Sequence, residues 1–263
     1  MAECPRTRPE VSRFGRDSIL IWQVAMVVGL LAAWEIAGRF TGGDQVSSPS
    51  RIAQRILIWL GGELYPHLFT TLAELACGMA IGCSLGIVVG LVLGRMPIVS
   101  IILRPIIVGL YSVPLVTLAP LFIMFFGLGL LPKIVLVSIV TFFLLFFNTF
   151  TGAQQVDEDY LRTLDLMGAN KFEQFRKVVA PATAVWIVGG FKIALPYALV
   201  ATITGELLAT RSGLGFLISR AAERFDMTSL YAVLLILMAL GLLLSEVTLR
   251  LEHRFLRWRE PTE

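Results

Sequence analysis

Six stretches of this chain run for about the thickness of a bilayer with almost no charge. A helix needs about 20 apolar residues to cross the hydrocarbon core. Residues 18–34 are uncharged and continue as an apolar helix to about Gly38. Residues 75–94, 105–132, 134–156 and 227–245 are likewise free of Asp, Glu, Lys and Arg, and residues 178–205 carry only Lys192. Hydrophobic residues make up 56% of the 263, charged residues 16%, and the mean hydropathy is +0.79. A soluble domain carries about 25% charged residues and must clothe its own surface. The expectation is an all-α membrane protein of six transmembrane helices, which excludes soluble enzymes and disordered, fibrous or disulfide-rich secreted chains. The first run is too long for a signal-peptide core and lacks a small-residue cleavage site, so it reads as an uncleaved anchor.

Positive charge orients such a chain. With the N-terminus inside, the cytoplasmic segments hold Arg6, Arg8, Arg13, Arg16, Arg95, Arg104, Arg162, Lys171, Arg176, Lys177, Arg250, Arg254, Arg257 and Arg259. The outer segments hold half as many: Arg39, Arg51, Arg55, Lys133, Arg211, Arg220 and Arg224. Both termini are therefore expected in the cytoplasm, with Trp258 as an interfacial anchor. The expected division is a cytoplasmic segment over residues 1–18, a membrane domain over 19–252 and a cytoplasmic tail over 253–263. Cys4, Cys77 and Cys83 form no disulfide or zinc spacing, and His67 and His253 lie far apart, so no metal site is expected.

Two stretches outside the spans carry helix signals. Ser48-Pro49 offers an N-cap followed by proline at the first helical position. Ile52, Ile56, Trp59 and Leu60 then share a face, which predicts a short amphipathic helix on the outer surface. The inner loop over residues 157–180 is longer and more charged. Asp157, Glu158 and Asp159 suit a helix start. Leu161, Leu164 and Met167 give an apolar stripe, and Gly168-Ala169-Asn170 breaks the helix. A second short helix follows, with Lys171, Arg176 and Lys177 beside Phe172, Phe175, Val178 and Val179, and Pro181 opens the next span. Such a pair reads as an interfacial hairpin or as a docking knob for a cytoplasmic partner.

Gly168, nine residues, then Val178-x-Ala180-Pro181 resembles the second half of the loop signature of ABC-importer permeases. The Glu-Ala-Ala positions of that signature hold Arg162, Thr163 and Leu164 here, and its Leu is Ala180. Further matches lie in order along the chain. They are Ser48-Pro49-Ser50, Pro114 with Ala119-Pro120-Leu121, Phe126-Gly127-Leu128-Gly129, Asn148-Thr149 with Gly152, Gly205-Glu206-Leu207 and Ser212-Gly213-Leu214-Gly215. They cover roughly residues 48–260 and look most like the permeases for nitrate, taurine, alkanesulfonate and bicarbonate, with relatives for riboflavin or pyrimidine precursors.

The resemblance implies a translocation subunit of a type I importer in the bacterial inner membrane. It implies a second permease copy, two cytoplasmic ATPase subunits, an extracytoplasmic binding protein and a small solute such as a sulfonate, nitrate or bicarbonate. ATP and Mg would sit on the ATPase chains, with no cofactor on this one, and no G-x-x-x-x-G-K-[ST] motif occurs here. The loop residues Leu161, Leu164, Met167, Gly168, Ala169, Phe172 and Pro181 would couple the ATPase cycle to the spans.

The remaining features are read from the residues. Glycines 78, 82, 86, 90 and 94 recur every fourth position, a packing stripe within the subunit or between copies. Gly82-Cys83-Ser84-Leu85-Gly86 matches a nucleophile elbow but lies inside a membrane helix. Lys192 is the one basic residue placed deep in a span. It should either pair with Glu74 or face an aqueous cavity, with Glu206 a second candidate partner. Pro114 and Pro120 break span three, and Tyr111, Ser112, Pro114 and Thr117 together with Lys192 and Glu206 are candidates for the translocation pathway. Gly213-Leu214-Gly215 is expected as a flexible outer loop near the gate. The rival function is an ion-coupled secondary transporter in which Glu74, Lys192 and Glu206 carry the coupling.

Overall fold

The computed structural model describes residues 16–40, 46–209 and 211–255. Cys4, Arg6, Arg8, Arg13, Arg257, Trp258 and Arg259 lie outside them. Every regular element among the described residues is helical: α1 (Arg16–Phe40), α2 (Pro49–Leu60), α3 (Leu64–Gly94), α4 (Pro97–Tyr111), a 3-10 turn (Leu115–Leu118), α5 (Ala119–Phe126), α6 (Leu130–Gln154), α7 (Glu158–Leu166), α8 (Lys171–Gln174), a π turn (Phe175–Val179), α9 (Ala180–Ala209), α10 (Leu214–Glu223) and α11 (Met227–Phe255). Five of these runs are long and apolar enough to cross a membrane, and α4 and α5 form a sixth that bends by 73° at its break. Counted with the bent pair as one span, these runs match the six expected spans in length and composition.

The core is α6 clasped between α3 and α9. The glycine stripe of α3 lies on α6, so the stripe packs within the subunit. A Cβ on Gly78 would meet the Val137 side chain, one on Gly86 the Phe142 carbonyl at 2.6 Å, one on Gly90 the Phe146 carbonyl at 2.9 Å, and one on Gly94 the Ala153 Cβ at 2.6 Å. Glycine at every fourth position lets two helix backbones approach this closely where lipid offers no hydrophobic drive. On the other side of α6, Gly152 receives Trp186 of α9, and Gly190 of α9 receives Asn148. Ser84 of the apparent nucleophile elbow bonds back to the Ala80 carbonyl within α3, as an ordinary helix hydroxyl does.

Several boundaries move. α4 begins at Pro97 rather than near Pro105, so Arg104 falls within the helix and the α3–α4 connection shrinks to two residues, Arg95 and Met96. Pro105 sits inside α4, whereas the break comes at Pro114. Pro120 lies in the first turn of α5, where its missing N–H is no loss. α6 starts at Leu130, which puts Pro132 and Lys133 in its first turn rather than in an outer loop. The second short helix of the inner loop is not separate. The run from Lys171 to Leu208 is one continuous helical path through the π turn into α9. α11 continues to Phe255, past the expected boundary at 252.

α2 forms where expected, with Ser48 before it and Pro49 at its start. Its buried residues Ile52 and Trp59 pack with Leu214, Leu217 and Val233 of α10 and α11, while Leu57, Ile58 and Leu60 stay exposed. The helix is thus built into the bundle end. α1 stands at the edge. Glu35 accepts from the Ser50 N–H (3.0 Å) and hydroxyl (2.8 Å), and Trp34 meets Tyr231 edge-on.

Candidate functional site

α6 and α9 run antiparallel, so the α6–α9 connection defines one end of the bundle and the start of α6 with the end of α9 the other. Chemistry is concentrated at both.

At the connection, Asp157 caps α7 by accepting the Asp159 N–H at 2.9 Å. The helix ends in a Schellman turn. The Gly168 N–H reaches the Asp165 carbonyl (3.0 Å) and the Ala169 N–H the Leu164 carbonyl (2.9 Å), with Gly168 at φ +80. Asn170, expected to help stop α7, instead starts α8. It forms a reciprocal capping box with Glu173 at 2.9 and 3.0 Å, the arrangement that satisfies two orphan helix donors at once. Buried Gln174 donates to Asp165 and to the Ala169 carbonyl, pinning the turn from below. The expected apolar stripe divides. Leu161 and Leu164 are half-buried against the protein, whereas Leu166, Met167 and Phe172 project, 90%, 78% and 69% exposed. Leu166 is an addition to the residues expected from the sequence. Ala169 is half-buried and Pro181 exposed. The result is a rigid, capped knuckle with an apolar tip.

At the opposite end the structure replaces the expected Glu74–Lys192 pair. Lys133 of α6 is 2% exposed and pairs with Glu74 of α3, itself 1% exposed. Lys192 lies half-exposed on α9 and pairs with Glu252 of α11 at 3.0 Å. Placing Lys133 in a loop hides its role. A lysine in the first turn of a buried helix needs a carboxylate, because a lone charge there is costly to desolvate.

Glu206 does not line open space. It is 1% exposed and ties three elements together. It accepts from Thr71 Oγ1 at 2.7 Å and from the Gly215 N–H at 2.7 Å. The Leu214 N–H donates to Thr71 Oγ1 (2.9 Å) and the Gly213 N–H to His67 Nδ1 (3.1 Å). Gly213 has φ +110 and lies against the Glu206 carboxylate, where any Cβ would collide with it. Gly213-Leu214-Gly215 is therefore not a flexible loop. It is a backbone cradle for a carboxylate at the start of α10.

Of the remaining pathway candidates, Tyr111, Ser112, Pro114 and Thr117 are all exposed at the break between α4 and α5. Ser112 and Thr117 bond back to the carbonyls of Val108 and Pro114. Tyr111 contacts Phe143 and Phe147 of α6 at 5.9 and 5.0 Å between ring centres. The break thus sets Tyr111 against α6 and leaves Ser112, Pro114 and Thr117 exposed beside it. No group of three potential ligands for a metal ion exists among the described residues.

A bundle of apolar helices with one broken span, a capped inter-span knuckle and a buried charge cluster defines a multi-pass membrane protein of the transporter kind. Residues 82–257 match the family described as the inner-membrane component of binding-protein-dependent transport systems, and the chain belongs to that family. It is an ABC-importer permease of the bacterial inner membrane, and the secondary-transporter reading gives way to that finding. The formylaminopyrimidine transport permease protein ThiX of Halalkalibacterium halodurans is 31% identical over 232 residues, 88% of this chain and 93% of that protein. The riboflavin transport system permease protein RibX of Chloroflexus aurantiacus is 32% identical over 232 residues, 87% of each. A putative aliphatic sulfonates transport permease protein, SsuC of Bacillus subtilis, is 27% identical over 267 residues, 100% of this chain and 95% of that one. In fold, the chain resembles an inward-facing structure of the MetNI methionine ABC transporter, with a TM-score of 0.65 over 76% of this chain and 97% of that one at 20% identity.

Proposed function

We propose that this permease works as the conducting half of a type I importer in which the Gly168 knuckle receives force from a separate ATPase. The observation that carries the proposal is the apolar tip of Leu166, Met167 and Phe172, held on a Schellman turn and a capping box. Large apolar groups this exposed outside the spans suit a partner's groove, and a rigid mount transmits displacement where a floppy loop would absorb it. The partners are a second permease copy, two ATPase subunits that hold ATP and Mg, and an extracytoplasmic binding protein. This chain itself performs no catalysis. In this reading the knuckle and both termini face the cytoplasm, in line with the arginine bias. The break at Pro114 then lies along the solute path, with Tyr111, Ser112 and Thr117 beside it. The solute is small, of the size carried by relatives named for sulfonates, taurine or formylaminopyrimidine.

The test is co-purification of the solubilised permease with the P-loop ATPase expressed beside it. Leu166→Glu and Gly168→Asp are expected to lose the ATPase. Gly168→Asn should keep it, because Asn accepts positive φ. Retention of the ATPase by both Leu166→Glu and Gly168→Asp would refute the coupling assignment.

A further inference from the structure

Glu74 of α3, Lys133 of α6 and Glu206 of α9 form one buried cluster beside the start of α10, each at most 2% exposed. The Glu74 and Glu206 carboxyls lie within hydrogen-bonding reach of one another. Two carboxyls therefore share one ammonium. Of the surrounding elements, α5 has no ionisable residue, and Arg220 of α10 is engaged by Glu63. His67 of α3 accepts the Gly213 N–H, and Arg211, just before the cradle, is exposed.

Charge and donor counts both speak against two ionised carboxyls. With both ionised, the cluster would keep one uncompensated negative charge, and a buried group in that position neutralises instead. The donors lead to the same place. Glu206 Oε1 receives the Thr71 hydroxyl and its Oε2 the Gly215 N–H, while Glu74 Oε1 receives the Lys133 ammonium. Glu74 Oε2 is buried, and no donor among the described residues reaches it. An ionised carboxylate only accepts hydrogen bonds, so its contact with Glu206 is repulsive unless a proton lies in it.

We infer that Glu74 and Glu206 form a proton-binding site, a carboxyl dyad that holds one proton between its members with Glu74 Oε2 as the donor atom. The proton gives the orphan oxygen a role and turns a repulsion into a hydrogen bond. It also leaves the dyad one negative charge, which Lys133 balances. The proton belongs to the pair rather than to either residue. A metal cation is the poorer occupant, because the Lys133 ammonium already supplies the one positive charge the dyad needs. The bound proton joins the cradle at α10 to the α3–α6 contact, so three spans and the outer segment close around it. The site stands apart from the knuckle and does not depend on the coupling reading.

The test is infrared spectroscopy of the full chain in an alkyl maltoside, which has no ester carbonyl, at about pH 6.5. Exposed carboxyls, with ordinary values of about 4, are ionised there. The wild type is expected to show the carbonyl stretch of a buried carboxylic acid, shifted in heavy water. Glu74→Gln and Glu206→Gln should each lose that band, and Glu252→Gln on α11 should keep it. Replacing choline by sodium in the buffer should leave it unchanged. Glu74→Gln should also melt close to the wild type, because the amide mimics the protonated carboxyl: its carbonyl accepts from Lys133 and its N–H donates to Glu206. A wild type without the band, a band that survives in either glutamine variant, or a band removed by sodium would overturn the inference. So would melting of Glu74→Gln as low as that of Glu74→Leu.

Discussion

Lys133 stands opposite Glu74 at an offset of 59 residues, the same offset that sets Gly78 against Val137, Gly86 against Leu145, Gly90 against Thr149 and Gly94 against Ala153. A constant offset is the mark of two parallel helices in one register. The ion pair is thus the last rung of the glycine ladder, placed where α3 and α6 would otherwise have only side chains to choose their alignment. Both groups are buried, so the pair is weak evidence for net stability, and its shared offset is consistent with a role in setting the register. On the far side of Lys133 its stem fills the space left by Gly205 of α9, so one lysine fixes α6 against both neighbours.

Removing one partner leaves the other charge buried and alone, which costs about 3–5 kcal/mol. Lys133→Met and Glu74→Leu should each lower the melting temperature of the solubilised protein strongly. The double variant Glu74→Leu/Lys133→Met should recover most of the loss, since an apolar pair of similar volume needs no desolvation. Double-variant losses equal to the sum of the singles would show that the two residues act independently and would refute the rung.

Gly82 is the tightest position of the ladder. A Cβ there would overlap the Thr141 hydroxyl and the Ser138 carbonyl of α6. Backbone cannot step aside as a flexible side chain can, so Gly82→Ala should destabilise by about 1–3 kcal/mol, as overpacking does. At Gly29 of α1 and Gly109 of α4 an added methyl would have nothing within 4 Å, so alanine at either should leave melting unchanged. The check is a comparison of the three melting curves. Equal curves would place α3 and α6 farther apart than the ladder requires.

The spans, the outer helix and the glycine stripe are legible in the sequence because their signals are local: a run of apolar residues, a Ser-Pro start, a small residue every fourth position. The knuckle is half legible. Gly168 marks the turn, but the split of the stripe into half-buried Leu161 and Leu164 against exposed Leu166 depends on what α7 rests upon, which periodicity does not state. The charge cluster is mispaired from sequence because Lys133 follows Pro132 and looks like the end of a loop. Proline is accepted in a first turn, so the helix begins before it and draws the lysine inside. Extending the glycine ladder one turn above Gly78 and Val137 leads to Glu74 and Lys133, a signal visible only once α3 and α6 are known to be neighbours. Gly213-Leu214-Gly215 misleads for a related cause. Glycines suggest freedom, but here they leave room for the Glu206 carboxylate, nine residues before Gly215 in the chain, and for backbone donors to reach it.

Asp226 gives a prediction outside the spans. It caps α11, accepting the Ser229 N–H at 3.0 Å and hydroxyl at 2.6 Å, and lies 3.5 Å from Arg55 of α2. Partial burial pushes its carboxyl up, but the Ser229 hydrogen bonds and the Arg55 charge outweigh that and hold it below the usual range. A carboxyl lowered in the folded state contributes stability that is fully present above its unfolded value, about 3.9, and is lost as the pH falls through the folded value. Asp226→Asn removes the titrating group and the pairing with Arg55. The variant should therefore melt below the wild type at pH 7, and the gap should close as the pH is taken from 5 toward 3. Arg55→Gln should narrow the gap at pH 7 in the same sense, because it takes away one of the charges that favours the ionised form. A gap that stays constant across this pH range would show that Asp226 acts through shape alone, and a gap that widens in acid would contradict the direction of the shift.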